Sequence, residues 1–216
     1  MDPVVITIFI AVFIYSVVLH EIAHGYVANR FGDDTARVSG RLSLNPLVHI
    51  DPVGSILVPA ILIISGSGFL FGWAKPVPVN SSRLQGGVKA YRWVTLAGVT
   101  TNFVLAVIAA LVFKATTQYL GFTENNLGVL FFVSMLQINL ILAIFNCLPL
   151  PGFDGWNFLT TFRPFAEFIN RTPLGNPMFM AQYGLFVAII LLFLLMPFIG
   201  TIFQTVFSYF TRFFGI

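Results

Sequence analysis

The stretch VGSILVPAILIISGSGFLFGWAKPVPVN, residues 53–80, decides the architecture of the chain. Its apolar part, 53–72, has the length of a span, at about 20 residues per crossing. Yet Gly54, Gly66, Gly68 and Gly72 loosen it and Pro59 interrupts it, while Pro76 and Pro78 keep the following residues out of a helix. The flanks add a second constraint. Segment 25–52 carries Arg30, Arg37 and Arg41, and segment 73–92 carries Lys75, Arg83, Lys89 and Arg92. Segment 149–177 has Arg163 and Arg171, whereas 118–126 has no basic residue. By the positive-inside rule the first three segments face the cytoplasm and the fourth faces outward. A full crossing by 53–72 would put the first two on opposite sides. Residues 53–80 are therefore expected to be re-entrant, a short helix in and extended chain back. Such backbone is tolerated at membrane depth only where protein or a wet cavity satisfies it.

Composition sets the same scene. Of 216 residues, 57% are hydrophobic and 9% charged, against about 25% charged in a soluble domain. Eight acidic and eleven basic residues cannot solvate a globule of this size, and disorder would need low hydrophobicity and high charge. The 25 phenylalanines suit a surface facing the lipid bilayer. A scattered net charge of +3 suggests no nucleic-acid partner. A single cysteine, Cys147, excludes an internal disulfide and a cysteine-rich metal site. Further spans are expected at Pro3–Leu19, continuing to about Arg30, and at Tyr91–Thr117 and Leu127–Leu148. The run Met178–Phe214 is interrupted by Pro197 and reads as two helices or one kinked helix. Asp2 before the first run and His20-Glu21 after it argue for a retained helix rather than a signal peptide. The expectation is an all-α polytopic membrane protein, one domain over 1–216. It would have about five or six transmembrane helices and the re-entrant element at about 53–80. Its core lies in 1–160 and its C-terminal helices in 178–214, with no added regulatory domain.

The chemistry starts at His20-Glu21-Ile22-Ala23-His24. Residues at i and i+4 share a helix face, so both imidazoles can reach one metal, with Glu21 beside them to polarise a water. Three ionisable residues in succession near a membrane are functional by default; the bland alternative is an interfacial polar cluster. A catalytic zinc usually has three protein ligands and one open position. For the third, Asp33 and Asp34 point away from the metal face, Glu124 lies in the outward loop, and Glu167 has no local helix to fix it. Cys147, His49 and Asp51 remain open. Asp154 is the strongest candidate, in Asn146-Cys-Leu-Pro-Leu-Pro-Gly-Phe-Asp154-Gly155, where prolines and glycines open a helix end. His20 lies about 26 Å of helix beyond Pro3, near the inner edge of a core about 30 Å thick. Asp154 returns to that edge only if 53–80 is re-entrant, so the metal site and the arginine distribution require the same loop.

These residues resemble the site-2 protease family, intramembrane zinc metalloproteases that cut transmembrane segments of other proteins. The resemblance covers roughly residues 10–160 and rests on His20-Glu21-x-x-His24 and the Asn146 to Asp154-Gly155 segment. Asn45-Pro46, His49-Ile-Asp51-Pro52 and Gly72-Trp-Ala-Lys-Pro-Val-Pro-Val-Asn80 are similar to the short prokaryotic branch without PDZ or CBS domains. It implies one zinc per chain held by His20, His24 and Asp154, Glu21 as general base, and Asn146 positioning substrate. The family's Gly-Pro-x-x-Asn signature falls on Gly98-Val99-Thr100-Thr101-Asn102, with valine in place of proline. Asn102 is then a second candidate for binding substrate or oxyanion, or equally a bridge between helices. The function implied is an endopeptidase in a prokaryotic cell membrane, its active site near the cytoplasmic side. Its partner would be the transmembrane helix of a membrane protein substrate, with a homo-oligomer left open. The extended 73–80 segment could pair with an unwound substrate by strand addition.

Other singled-out residues have plainer expectations. Asn139 and Gln137 read as packing groups, and His49 and Asp51 as caps or anchors of the loop. Cys147 reads as a small buried hydrophobe, and Trp73, Trp93 and Trp156 as interfacial anchors. Phe203 to Phe214 reads as lipid-facing or a dimer surface. The alternative function is a non-proteolytic metal-binding scaffold or transporter. It would have no use for Glu21, and a transporter would carry polar groups through the whole membrane depth.

Overall fold

A backbone in lipid must satisfy its own hydrogen bonds, so the long apolar runs become long helices. The computed structural model describes residues 2–66, 72–123 and 126–216; Gly68 and Glu124 lie outside the described residues. Along the described chain run α1 (Pro3–Arg30), α2 (Thr35–Val38), α3 (Val58–Ile64) and α4 (Gly87–Lys114). They are followed by α5 (Leu127–Asn146), α6 (Asp154–Leu159), α7 (Arg163–Asn170) and α8 (Pro177–Phe214). The Asp2 carboxylate caps α1 by accepting from the Val4 N–H at 2.8 Å, with Pro3 at the first helical position.

Among the described residues four helices are long and apolar enough to cross a membrane: α1, α4 with its continuation to Tyr119, α5 and α8. Length and composition do not count crossings, and two features bear on the five or six expected. The helical part of the re-entrant element, Pro52–Ile64, is too short to cross, and 178–214 is one helix that contains Pro197. Contacts hold the C-terminal end of α8 and the segment well before it. At the start of α4, Arg92 donates to the Thr161 hydroxyl and carbonyl at 2.8 and 3.1 Å, which fixes the segment leading to α8. At the far end of α4, Lys114 Nζ donates to the Phe214 carbonyl at 2.6 Å, and Gln118 to the Gly215 carbonyl at 3.1 Å. A lysine on the last carbonyls of a helix satisfies groups that have no intrahelical partner.

The re-entrant element is built as a hairpin. The Asp51 carboxylate accepts from the Val53 and Gly54 N–H groups at 3.0 and 2.7 Å and starts a π-helical turn, Pro52–Leu57, that leads into α3. The chain returns extended from Gly72 to Asn80. On the way Trp73 N–H donates to the Gly54 carbonyl at 3.1 Å and Lys75 N–H to the His49 carbonyl at 2.8 Å. The Ser55 hydroxyl donates to the Trp73 carbonyl at 2.8 Å. The two arms meet where the chain departed, as the arginine distribution requires. Gly54 makes the approach feasible, because a Cβ there would lie 2.3 Å from the Trp73 ring.

Helices α1, α4 and α5 pack against one another. Fully buried Ala106, Ala109 and Ala110 of α4 meet Leu136 and Leu140 of α5 and Phe210 of α8, small residues letting helix backbones approach in the absence of a hydrophobic drive. One face of the phenylalanine-rich end of α8 is therefore core, while Phe213 stays 85% exposed. A second cluster, Ala28, Leu84, Ala90 and Val94, anchors the return of the re-entrant element against α1 and α4.

Candidate metal centre

Helix α1 presents His20 and His24 one turn apart on one face. The third group comes from the loop after α5, where Gly152 adopts φ +90 and α6 begins at Asp154. Gly155 lets that start press against the end of α5: a Cβ there would stand 2.3 Å from the Cys147 carbonyl oxygen and 2.6 Å from that of Leu148. The result is a triangle of ligand atoms. His20 Nε2 and His24 Nε2 are 3.1 Å apart. Asp154 Oδ2 lies 3.3 Å from His20 Nε2, and Oδ1 lies 3.2 Å from His24 Nε2. Two ligands bound tetrahedrally at about 2.0–2.1 Å stand about 3.3–3.4 Å apart, so the triangle fits zinc dimensions.

The proton positions make the same point. His24 Nδ1 lies 2.7 Å from the Val94 carbonyl, which can only accept, so Nδ1 carries the hydrogen. His20 Nδ1 lies 2.6 Å from Asn102 Oδ1, and donates likewise. With both rings neutral, the two Nε2 atoms would aim lone pairs at each other and at a carboxylate, and Asp154 Oδ2 is buried with no hydrogen-bond donor. Such a donor set is completed by a cation, and the second-nitrogen bonds are those that ordinarily orient metal-binding histidines. A further face is left open by Gly98 of α4: a Cβ there would lie 2.5 Å from both Nε2 atoms. His20, His24 and Asp154 are the group of potential metal ligands found among the described residues.

The remaining candidates are placed elsewhere. Glu21 is beside the histidines on α1, and its Oε2 accepts from the Val77 N–H of the re-entrant return at 2.7 Å. Asn146 ends α5 and donates to the Leu142 carbonyl of its own helix at 3.0 Å. Asn102 is fully buried behind His20, its nitrogen donating to Asn139 Oδ1 at 2.8 Å and towards the Ser16 carbonyl at 3.5 Å. With its oxygen on His20 and its nitrogen on Asn139, its position matches a bridge between helices, one of the two roles expected for it. His49 and Asp51 are anchors of the loop. His49 Nε2 lies 2.9 Å from the Ser43 carbonyl, and Asp51 caps the π-helical turn. Glu167 pairs with Arg163 at 2.6 Å, and Asp34 with Arg37 and Arg83. Asp33 is fully buried and accepts from the Thr35 N–H and hydroxyl and from the Asn80 N–H at 2.6 Å. Burial opposes its charge, but these hydrogen bonds and the Arg83 charge outweigh it and hold the carboxyl below the usual range.

Two expectations need correction. Cys147 is exposed, because it caps α5 at the point where the chain leaves the bundle. Trp156 is buried and packs edge-on to Phe165 with centroids 5.6 Å apart, since α6 folds inward to deliver Asp154. Along 73–80 several backbone groups are already used. On one edge the N–H groups of Trp73, Lys75 and Val77 are bonded to Gly54, His49 and Glu21, and on the other Pro76 and Pro78 have none. Arg41 takes the Lys75 and Pro76 carbonyls at 2.6 and 3.3 Å.

Two of these features had no signal in the sequence: the Val77 backbone N–H on Glu21 and the Val94 carbonyl on His24. Gly98 was visible only as part of the valine-containing signature.

No family model matches the chain, and no solved structure does. Curated proteins do. Over 155 residues the chain is 40% identical to the Bacillus subtilis protein named "Putative zinc metalloprotease YwhC", covering 70% of this chain and 67% of that one. It is 33% identical over 162 residues to "Putative zinc metalloprotease Rip2" of Mycolicibacterium smegmatis, covering 69% of this chain and 55% of the relative. The Mycobacterium tuberculosis protein of the same name is 33% identical over 150 residues. The chain spans about half the length of these Rip2 proteins. Identity of 40% across two thirds of YwhC, together with the His20, His24 and Asp154 triangle, means that the chain belongs to this family of zinc metalloproteases.

Proposed function

We propose that the protein is an intramembrane zinc endopeptidase of the site-2 protease type, hydrolysing peptide bonds in or near transmembrane segments of other membrane proteins. The observation that carries this reading is the convergence of two imidazole lone pairs and a carboxylate within 3.1–3.3 Å beside Glu21, among helices long and apolar enough to cross a membrane. One zinc per chain, bound there by His20, His24 and Asp154, would polarise a carbonyl and lower the pKa of a water towards about 7.

The chain's own residues supply the rest. Glu21 is held through Oε2 by the Val77 N–H, which leaves Oε1 to take the proton of the attacking water and deliver it to the leaving amine. Asn102 and the Val94 carbonyl keep the histidine rings turned to the ligand position. Asn146, at the open end of α5, has a carboxamide oxygen and a second N–H with which to hydrogen-bond the backbone of an unwound substrate. A transmembrane helix pairs all its backbone groups and must unwind before attack. Arg37, Arg41, Lys75 and Arg83 border the end of the bundle that holds the triangle, which by the positive-inside rule supports a site near the cytoplasmic face. The bacterial relatives support a prokaryotic cell membrane.

Glu21→Gln tests the reading. In proteoliposomes the variant is expected to keep one zinc per chain and to lose cleavage of a reporter with a single transmembrane helix. Cleavage at the wild-type rate would remove Glu21 from the mechanism. Zinc binding by a wild-type protein that cuts no helical reporter would favour the scaffold or transporter instead.

A further inference from the structure

We propose that Asn139 is a positioning residue for the metal centre: acting through Asn102, it determines which nitrogen of His20 carries the proton and so keeps Nε2 free for zinc. The inference rests on the zinc reading above. It starts from a line of polar side chains that crosses three packed helices in an otherwise apolar interior. Ser16 of α1 is 4% exposed, and Asn102 of α4 and Asn139 of α5 are fully buried. Side chains of this kind in a membrane interior need partners, and here they find them across the helices in one another.

The line has a direction. Asn139 Nδ2 lies 2.9 Å from the Met135 carbonyl oxygen, one turn back on its own helix. A carbonyl only accepts, so the atom facing it is the nitrogen and not the amide oxygen. Nδ2 also donates to Ser16 Oγ at 2.9 Å. Asn139 Oδ1 is thereby turned to Asn102, and the atom of Asn102 that meets it at 2.8 Å is Nδ2. Asn102 Oδ1 then faces His20 Nδ1 at 2.6 Å, which must donate. The lone pair of the neutral ring is left on Nε2, the atom in the ligand triangle. Without Asn139, what holds the Asn102 nitrogen is the Ser16 carbonyl at 3.5 Å, the longest hydrogen bond in the line and the weakest hold against turning over. If Asn102 turned over, its N–H2 would face His20 Nδ1, favouring the ring with hydrogen on Nε2, where zinc needs a lone pair. Ser16 lies one turn before His20 on α1, so the line begins and ends on the same helix.

Outer groups that orient ligand histidines are worth roughly 10–100-fold in metal affinity when removed. Asn139→Leu keeps the volume and removes the acceptor, and about a tenfold weaker zinc affinity is expected, read by chelator competition on the detergent-solubilised full chain. Asn139→Asp preserves an oxygen for Asn102 and is expected to stay within about threefold of wild type. The decisive comparison uses Asn102→Asp. A carboxylate has no N–H2 to turn towards His20, so in that background Asn139→Leu is expected to have no further effect. Unchanged affinity in Asn139→Leu overturns the proposal, as does an equal loss in both backgrounds, which is what a merely structural role would give. If Asn139→Leu does not assemble, 15N shifts of the His20 ring in zinc-free wild-type protein decide, at a pH where the ring is neutral. A hydrogen on Nδ1 is expected, and one on Nε2 overturns the assignment. A wild type that binds no zinc would defeat the metal reading, while the ring nitrogens would still answer for Asn139.

Discussion

Gly98→Ala adds one methyl group where α4 faces the two histidines. Its carbon would lie 2.4 Å from His20 Cε1 and 2.5 Å from the Nε2 atoms of both rings. Ordinary contact begins at 3.4 Å, so the rings must retreat by about 0.9 Å, the difference between 3.4 and 2.5. They have little freedom to do so, since His20 is bonded to Asn102 and His24 to Val94, both on the same helix as the intruding methyl. Metal–ligand distances tolerate about 0.2 Å, and misplacement of reacting groups by about 1 Å is worth on the order of 100-fold. Zinc affinity is therefore expected to fall by about 100-fold or more, with reporter cleavage falling alongside. The fold should not follow. Alanine is favoured over glycine within a helix by about 1 kcal/mol, which offsets much of the roughly 1–3 kcal/mol that overpacking costs. Chelator competition and thermal unfolding of the zinc-free protein in detergent measure the two effects separately. Zinc affinity within about threefold of wild type would refute the placement of Gly98 against the ligand atoms.

Three further outcomes follow from the same geometry. Val77→Pro removes the N–H that holds Glu21 at 2.7 Å; a hydrogen bond to a charged group is worth about 1.5–3 kcal/mol, so turnover of the reporter is expected to drop roughly 10–100-fold with zinc retained. Gly155→Ala sets a Cβ against the Cys147 carbonyl, a backbone atom that cannot swing aside, and metal analysis should find the zinc content reduced because Asp154 is pushed off the triangle. Asp33 has its folded-state pKa depressed, so its contribution is fully present above about pH 4, the unfolded value, and is lost as pH falls through the lower folded value. Thermal unfolding across that window should steepen in wild type and flatten in Asp33→Asn.

How much of this could be read from the sequence depends on whether the informative group was a side chain or a backbone atom. His20 and His24 were legible because helical spacing alone puts them on one face. Asp154 was legible through topology, since charge distribution and ligand geometry demanded the same hairpin, and Gly54 against Trp73 shows how that hairpin closes. Asn102 was singled out, but an amide in mid-span does not say whether it faces a substrate or a histidine; only the three-helix packing turns it towards His20. Asn139 read as a packing group for the same reason. The Val77 N–H and Val94 carbonyl belong to every residue alike and have no signature in a chain of letters. Trp156 followed the rule for aromatic residues at span ends, and failed it because α6 turns inward instead of along the interface. Pro197 left two helices or one kinked helix open, and α8 continues through it as one helix.

The central claim is that two histidines and one aspartate, with no sulfur, hold a single zinc. Zinc-edge X-ray absorption on the purified full chain measures this most directly. One zinc per chain is expected, with two imidazole nitrogens at about 2.0–2.1 Å, the remaining ligands oxygen at about 2.0–2.2 Å, and loss of this signature in Asp154→Ala. A sulfur at about 2.3 Å, which Cys147 alone could supply among the cysteines, or an unchanged spectrum in Asp154→Ala, would contradict it.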